Sequence, residues 1–165
     1  MIRAADDRDI PHLQSIEIAA DALLLDLLNL SHWEQAPSGE ARASMNGFIL
    51  VADSTDRKIV GFAHALVGEG YAHLEQLSVL PERGRQGLGR TLVGEAKAEA
   101  ARRGIGHLSL RTYVDVPWNA PFYATCGFLE TEPDTPFLRE RAETETRLGL
   151  DRYGRRIQMS ASLTC

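Results

Sequence analysis

The stretch from Leu74 to Gly104 reads LEQLSVLPERGRQGLGRTLVGEAKAEAARRG, and its order of apolar, glycine-rich and helical residues decides the fold. The apolar start predicts a strand that stops at Pro81, and the end predicts an amphipathic helix over Leu88–Arg103. Between them lies a glycine-spaced loop whose main chain can approach a ligand closely. Because the unpaired N–H groups of a helix start favour an anion, and because arginines flank the glycines, this loop is predicted to bind a phosphate ester.

The spacing of the glycines distinguishes between kinds of phosphate-binding loop. A dinucleotide-binding loop reads Gly-x-Gly-x-x-Gly, whereas Gly84, Gly87 and Gly89 have the reverse spacing. A P-loop reads Gly-x-x-x-x-Gly-Lys-Ser/Thr, and this segment fits that pattern except that Arg90 replaces the lysine. Arginine is not equivalent to lysine there, and the next predicted strand ends without an acidic residue for magnesium. A P-loop nucleotide hydrolase stays open as the less favoured alternative.

Two segments resemble the signatures of one enzyme family. The run from Leu77 to Val93, LSVLPERGRQGLGRTLV, resembles the signature of the GNAT superfamily of acyl-CoA N-acyltransferases, whose loop reads Arg/Gln-x-x-Gly-x-Gly/Ala between a strand and a helix. Gly84 takes the Arg/Gln position here, with an arginine on either side. The segment PWNAPFYATCGF resembles the second signature, in which a tyrosine stands four residues before Gly-Phe, as Tyr123 does. The resemblance covers Phe48 to Phe128.

The resemblance implies that acetyl-CoA is the co-substrate, with its pyrophosphate on the N–H groups of the glycine loop. It also implies that the pantetheine arm lies along a strand edge where one parallel pair of strands parts. The residues assigned to the cofactor are Leu77, Ser78, Val79, Gly84, Arg85, Gln86, Gly87, Leu88, Gly89, Arg90, Asn119 and Tyr123. For Asn119, capping of the helix behind it is an equally good interpretation. The mechanism needs no metal, and the histidines stand in no metal-binding spacing.

Three residues are predicted to move protons. His73, Glu75 and Leu77 alternate along one predicted strand, so we expect them to share one face with Val79, beside the cofactor. The resemblance implies that the base for the acceptor amine stands there, with Glu75 favoured before His73. Tyr123 is the implied proton donor to the departing sulfur, since a phenol of pKa ~10 can protonate a thiolate of pKa ~8.5 or above. The simpler alternatives are a polar pair at the sheet rim and an aromatic side chain that fills the core.

Hydrophobic periodicity gives the order of the elements. The predicted strands are Ile2–Ala5, Gly47–Ala52, Ile59–Val67, Tyr71–Val79, His107–Thr112, Phe128–Thr131 and Arg155–Ser160. The predicted helices are one with apolar positions from Ile10 to Leu24, a second or extended helix over Leu23–Leu30, then Leu88–Arg103, Trp118–Cys126 and Phe137–Leu148. Three strands with short turns predict an antiparallel meander, and the crossover helix makes the fifth strand parallel to the fourth.

These elements predict an α+β fold in α/β/α layers. We expect a mixed, mostly antiparallel sheet of about seven strands with helices on both faces. The resemblance adds a central splay of the sheet, between Tyr71–Leu80 and His107–Thr112. The charged run from Arg139 to Arg147 is interpreted as a solvated helix face.

Length and composition exclude several classes of protein. The 165 residues are 44% apolar and 25% charged, which predicts one globular domain over residues 1–165. A net charge of −5 argues against nucleic-acid binding. The most apolar stretch, Ala19 to Leu30, is too short for a bilayer and is interrupted by aspartates, so a cytoplasmic protein is expected. Cys126 and Cys165 are expected to be free thiols.

Together these observations predict an N-acetyltransferase that moves the acetyl group of acetyl-CoA to a primary amine by direct attack in a ternary complex. A non-catalytic acyl-CoA sensor of the same fold is the main alternative. The acceptor is expected to be a small-molecule or peptide amine, and the resemblance leaves a homodimer open. Candidate acceptor contacts are His32, Trp33 and Glu34, which are more simply a surface loop with a packed tryptophan, together with Arg111 and Asp115.

Overall fold

The computed structural model describes residues 1–31, 33–68 and 70–164. The strands are β1 (Ile2–Ala4), β2 (Gly47–Asp53), β3 (Ile59–Gly68), β4 (Tyr71–Val79), β5 (His107–Tyr113), β6 (Leu129–Thr131) and β7 (Arg156–Ser162). The α-helices are α1 (Leu13–Leu27), α2 (Gly39–Ala43), α3 (Leu88–Arg102), α4 (Ala120–Thr125) and α5 (Pro136–Arg147). Short 3-10 helices occupy Ile10–His12, Pro81–Arg83 and Leu150–Tyr153.

The seven strands form one mixed sheet in the order β1-β2-β3-β4-β5-β7-β6. The first four strands are antiparallel neighbours, as the short turns predict, and β5–β7 and β7–β6 are antiparallel too. Among the described strands, only β4 and β5 pair in parallel, because α3 carries the chain across the sheet between them. The predicted α+β class, with a mixed and mostly antiparallel sheet, is confirmed.

The parallel pair separates halfway along its length. β4 and β5 are paired from Ala72 opposite Leu108 to Leu74 opposite Leu110, and not beyond. Both strands continue, β4 by five residues to Val79 and β5 by three to Tyr113. The sheet is therefore splayed at its centre, where the resemblance places the splay.

Helices cover both faces of the sheet. On one face α3 buries an apolar stripe that includes Leu92 against the main core of the protein, to which α4 also contributes. On the other face Leu13 and Ile16 of α1 pack against Val51 and Phe62 of the sheet. Aromatic side chains connect α5 to this second face, through the contact of its first turn with β4. The layers follow the predicted α/β/α arrangement.

Helical boundaries near the N-terminus differ from the prediction in two places. Of the two alternatives predicted for Leu23–Leu30, the structure shows the extension of the first helix and not a second helix, but α1 stops at Leu27. A short helix, α2, was not predicted, since five residues are too few to show a helical period. Its N-cap is Ser38, whose Oγ accepts a hydrogen bond from the N–H of Ala41 at 3.1 Å. Among the described residues, no helix has both the length and the apolar character needed to cross a bilayer.

A β-bulge interrupts the pairing of β3 with β4. Gln76 pairs with His64 on β3. The next residue of β3, Ala65, pairs with Leu74, so Glu75 is an extra residue on β4. A bulge of this kind breaks the alternation of side chains along the strand that contains it.

The bulge overturns the predicted strand face. Leu77 and Val79 pack against the core on the α3 face, together with Leu74. His73 lies on the opposite face, where its ring meets Phe137 of α5 edge-on at 5.9 Å between centroids. The prediction that His73, Glu75, Leu77 and Val79 share one face is therefore wrong.

Candidate active site

The splay of the sheet opens a cleft of about 870 Å³. Residues from both faces line this cleft. Leu77, Gly89 and Tyr123 belong to the α3 face, and Glu75 and Arg111 to the α1 and α5 face. This volume is within the range of small-molecule and cofactor sites, and the cleft leads through the sheet from one face to the other.

One end of the cleft is the start of α3. Thr91 is the first residue of this helix whose N–H bonds back to a carbonyl, that of Gly87, at 3.0 Å. The N–H groups of Gly87 to Arg90 precede this bond and have no acceptor in the described part of the chain. Arg85 and Gly87 have left-handed φ values of 60° and 81°, which turn the loop into the helix. Unpaired amides at a helix start form a site for an anion.

Most residues assigned to the cofactor from sequence line this cleft. They are Leu77, Val79, Gly84, Arg85, Gly87, Leu88, Gly89, Arg90, Asn119 and Tyr123. Ser78 does not, because its side chain is buried on the other face and its Oγ accepts a hydrogen bond from Gln76 Nε2 at 3.0 Å. Gln86 is exposed outside the lining of the cleft.

The arginines of the loop differ in what they bind. Arg90 is held by α4, since its Nη1 and Nη2 donate to the carbonyl oxygen and Oγ1 of Thr125 at 3.0 and 2.8 Å. Arg85 has neither a hydrogen bond nor an ion pair within the described residues. Arg83 also lines the cleft without a side-chain hydrogen bond or ion pair to the described residues, so Arg83 and Arg85 are both free to meet an anion.

Tyr123 lies in the cleft with an aromatic ring on each side. Its ring centroid is 5.2 Å from that of Phe122 and 5.8 Å from that of Phe128. Burial raises the pKa of the Tyr123 hydroxyl above its usual value, with Cys126 adding to the effect. Because its pKa is raised, the hydroxyl is protonated at neutral pH, and since no group in the described part of the chain hydrogen-bonds it, it is free to donate.

Asn119 precedes α4 but does not cap it with its side chain. Its Oδ1 instead accepts a hydrogen bond from Thr112 Oγ1 of β5 at 2.9 Å. The capping interpretation is therefore wrong. Because Asn119 lines the cleft and its oxygen is bound, its amide NH₂ is left to face a ligand.

The two candidate bases lie in different surroundings. Glu75 stands at the bulge, lines the cleft and has no hydrogen bond or ion pair within the described residues. His73 is 3% exposed and does not line the cleft. Its Nδ1 is 2.9 Å from Ser109 Oγ on β5. The structure brings Glu75 and Tyr123 into one cleft and leaves His73 outside it.

His73 predicts a dependence of stability on pH. Its pKa is lowered to about 4, mainly by burial, with a contribution from the positive charges of Arg141 and Arg111 that Glu145 opposes. The folded protein thus holds His73 neutral, whereas the unfolded chain takes up a proton near pH 6.5. Because the folded pKa is depressed, stability is highest above pH 6.5 and falls as the pH drops toward 4. Between pH 7 and pH 5 this histidine alone removes about 2 kcal/mol from the free energy of unfolding.

A pair of variants isolates this contribution. We expect His73→Gln to be less stable than wild type at pH 7, since it disturbs a buried contact, but to lose less stability between pH 7 and pH 5. His12→Gln is the control, because His12 is exposed. Urea unfolding at both pH values measures the difference, and an unchanged pH dependence in His73→Gln would contradict the assignment.

The family of the chain follows from comparison with known proteins. A family model described as the acetyltransferase (GNAT) family matches residues 17–128, which is more than half of the chain. The chain belongs to the GNAT acetyltransferase family. The match begins within α1 and includes the bulged strand β4, the loop at the start of α3 and Tyr123, whereas the cleft residues from α5 and β7 lie beyond it.

Solved structures of GNAT proteins share the fold at low sequence identity. The ribosomal-protein-S18-alanine N-acetyltransferase from Escherichia coli is 22% identical, with a TM-score of 0.70, over 100% of this chain and 94% of that chain. The PaiA N-acetyltransferase from Thermoplasma acidophilum, in complex with coenzyme A, is 18% identical, with a TM-score of 0.71, over 98% of both chains. An acetyltransferase of the GNAT family from Staphylococcus aureus Mu50 is 15% identical, with a TM-score of 0.74, over 99% of both chains.

The α1 wall of the GNAT cleft contains a buried ion pair that the sequence did not reveal. Arg42 of α2 binds Glu17 of α1 through Nε at 3.1 Å and Nη2 at 2.8 Å, and the two side chains are 4% and 6% exposed. Nη1 of Arg42 donates to Nδ1 of His64 at 3.0 Å, so His64 has its proton on Nε2. Burial, with the nearby Arg42 charge, lowers the pKa of His64 to about 4.

Asp21 is a second carboxylate of this wall. It follows Glu17 by one helical turn and lines the cleft. Burial raises the pKa of Asp21 to about 7, and the neighbouring Glu17 adds to the shift. Its carboxylate has no hydrogen bond or ion pair in the ranges that the structure describes.

The opposite wall contains an ion-pair network between α5 and the sheet. Arg111 Nε donates to Glu145 Oε1 at 2.8 Å, and Arg156 donates to both oxygens of Glu145 at 3.0 and 2.6 Å. Burial acts to raise the pKa of Glu145, but these hydrogen bonds outweigh it and leave the pKa lowered. The prediction that Arg139 to Arg147 is a solvated face is therefore wrong at Glu145, whereas Arg139 itself is exposed.

The remaining candidates are placed as follows. Trp33 and Glu34 line the cleft, whereas His32 lies outside the described residues. Asp115 is exposed and is not part of the lining. Cys126 is a half-buried free thiol, and Cys165 lies outside the described residues.

Proposed function

We propose that this GNAT protein is an acetyl-CoA-dependent N-acetyltransferase that transfers the acetyl group to a primary amine by direct attack within a ternary complex. The observation that carries the proposal is the continuity of the cleft. It contains the unpaired amides at the start of α3, the free hydroxyl of Tyr123 and the free carboxylate of Glu75. The strands from Ile2 to Ser162 belong to one sheet, and we infer that residues 1–165 form one catalytic domain.

The residues at the loop fit acetyl-CoA. A Cβ atom on Gly89 would lie 3.6 Å from Phe122 and 4.0 Å from Leu77, so the absence of a side chain there leaves room between α3, α4 and β4. The unpaired N–H groups of the first helical turn suit a diphosphate. The amide NH₂ of Asn119 is available to a carbonyl of the pantetheine arm.

The free edge of β4 also fits the amides of a pantetheine arm. Leu80 donates its N–H to Val60 of β3 at 2.8 Å. Since successive residues of a strand point their N–H groups to opposite edges, Val79 and Leu77 direct theirs toward the splay. The N–H of Val79 is therefore the donor that we assign to the thioester oxygen, where it stabilises negative charge as the reaction proceeds.

Bound acetyl-CoA supplies the acetyl group as an activated thioester. Glu75 accepts a proton from the amine, directly or through a water molecule, so that the nitrogen can form its bond to the acetyl carbon. As the C–S bond breaks, Tyr123 donates its proton to the sulfur. His73 is not assigned a role in the transfer, because it lies outside the cleft and because burial lowers its pKa to about 4, which makes it a weak base.

Two measurements separate this function from its alternatives. An enzyme releases free CoA thiol when acetyl-CoA and a suitable amine are both present, whereas a sensor binds acetyl-CoA without turnover on any amine of a broad panel. The family match leaves the P-loop nucleotide hydrolase without support. Calorimetric preference for ATP with magnesium over acetyl-CoA would nevertheless reverse that conclusion.

Charge reversal in the loop tests the site for the diphosphate. We expect Arg85→Glu to bind CoA about tenfold more weakly than wild type, because a negative side chain replaces a positive one beside the anion. Arg57→Glu is the matched control. Arg57 is also exposed and has a φ of 61°, but it lies in the turn between β2 and β3. Titration calorimetry at low salt measures both affinities, and equal loss in the two variants would remove the loop from the binding site.

A further inference from the structure

The cleft opens between a carboxylate and a guanidinium. The paired part of β4 and β5 ends with Leu74 opposite Leu110, so the next two residues in register are Glu75 and Arg111. Both line the cleft, and neither forms an ion pair with the other. The two strands separate at the position where these opposite charges would otherwise face each other directly.

Carboxylates without cationic partners are concentrated on the β4 side of the opening. Glu75 and Asp21 both line the cleft and have no ion pair within the described ranges. Glu17 is close enough to interact electrostatically with both, but its carboxylate is already paired with two guanidinium nitrogens of Arg42. Glu75 therefore retains negative charge that suits an ammonium group, and Asp21, whose pKa burial raises to about 7, can accept a hydrogen bond from that group in either protonation state.

Guanidinium groups are in excess on the β5 side. Arg111 and Arg156 share the single carboxylate of Glu145. Arg141 of α5 lines the same end of the cleft, and its Nε is buried without a hydrogen-bond partner. Its ion pair is with Glu140, a mostly exposed side chain, at 3.8 Å. Three guanidinium groups thus face the space with one buried carboxylate among them, and Arg111 uses only its Nε in that contact.

We propose that the acceptor is a zwitterionic amino acid, with its amine directed to Glu75 and Asp21 and its carboxylate bound by Arg111 and Arg141. The orientation of the amine toward Glu75 rests on the proposed function, in which Glu75 accepts a proton from that amine. A polyamine has no carboxylate to pair with the guanidinium groups on the β5 side. An acid without an amine has no positive charge to pair with the carboxylate on the β4 side. Planar carboxylates also match the paired N–H groups of arginine.

Equilibrium binding tests the inference independently of turnover. The protein is saturated with CoA and titrated with each of the common α-amino acids, and then with the amide and the decarboxylated amine of the acid that binds best. We expect that acid to bind at least about tenfold more tightly than its amide or its amine, because only the acid has both charges. No binding by any amino acid, or equal binding of acid, amide and amine, would overturn the proposal.

A pair of variants on α5 locates the carboxylate. In Arg141→Gln the preference for the acid over its amide falls about tenfold, since the guanidinium is lost. Arg139→Gln, on the exposed face of the same helix, keeps the wild-type preference. If both affinities fell equally in Arg141→Gln, its role would be structural and the assignment wrong. Tight binding of an acid that is never acetylated would support the assignment of a zwitterionic ligand to the cleft, but would contradict the proposed enzyme and with it the role of that ligand as acceptor.

Discussion

Replacement of Tyr123 by phenylalanine is expected to lower kcat about 100-fold, because general acid catalysis by a positioned side chain contributes on that order. The change removes only the hydroxyl. The ring keeps its contacts with Phe122 and Phe128, at centroid distances of 5.2 and 5.8 Å, so the fold and the binding of CoA are retained. The loss therefore appears in kcat and not in the Kd for CoA.

Thiol release from acetyl-CoA measures this effect, with CoA affinity measured by calorimetry in parallel. Tyr71→Phe is the matched control. Tyr71 stacks on Phe137 with centroids 4.6 Å apart and does not line the cleft, so the loss of its hydroxyl leaves kcat near the wild-type value. A kcat for Tyr123→Phe within twofold of wild type would show that another group protonates the sulfur.

The largest effect on stability is expected at Arg42. Replacing it with methionine leaves Glu17 as a buried carboxylate without its partner, which costs about 3–5 kcal/mol of the free energy of unfolding. The variant also removes the donor to His64 Nδ1 and the guanidinium that lies 5.9 Å from the centre of the Phe62 ring. Because these contacts hold α1 and α2 on the sheet, the wall of the cleft is weakened together with the fold.

A double variant separates the cost of an unpaired charge from that of lost packing. Glu17→Leu combined with Arg42→Met removes both charges, so we expect it to be more stable than Arg42→Met alone. Arg8→Met is the surface control, since the ion pair of Arg8 with Asp6 is exposed and the free energy of unfolding stays nearly unchanged. Urea unfolding measures all three, and a double variant no more stable than Arg42→Met would contradict the account of a buried pair.

Local patterns made the glycine loop and α3 predictable from sequence. The glycines from Gly84 to Gly89 and the helical period behind them lie within a few residues of one another, and the structure places this segment at the end of the cleft. Tyr123 was assigned through the resemblance of its segment to the second GNAT signature, in which the spacing from the tyrosine to Gly-Phe is local. Its position in the cleft depends on how α4, the helix that contains the motif, packs against the sheet.

Features that depend on distant partners could not be predicted. The bulge at Glu75 arises from the register of β4 against β3, so simple alternation placed His73 on the wrong face. Glu17 and Arg42 are 25 positions apart, and neither stands in a pattern that indicates its partner. Glu145 stood in a charged run that resembles a solvated helix, because its partner Arg111 belongs to a strand 34 positions earlier. Ion pairs of this kind become visible only once the elements are packed.

A crystal structure of the protein in complex with CoA would test most directly the central claim, which is that CoA binds in the cleft between β4 and β5. We predict that the diphosphate is within hydrogen-bonding distance of the N–H groups of Gly87 to Arg90, and that the arm follows the free edge of β4. The sulfur is then predicted to lie within reach of the Tyr123 hydroxyl. CoA bound outside the splay, or a sulfur remote from that hydroxyl, would contradict the account.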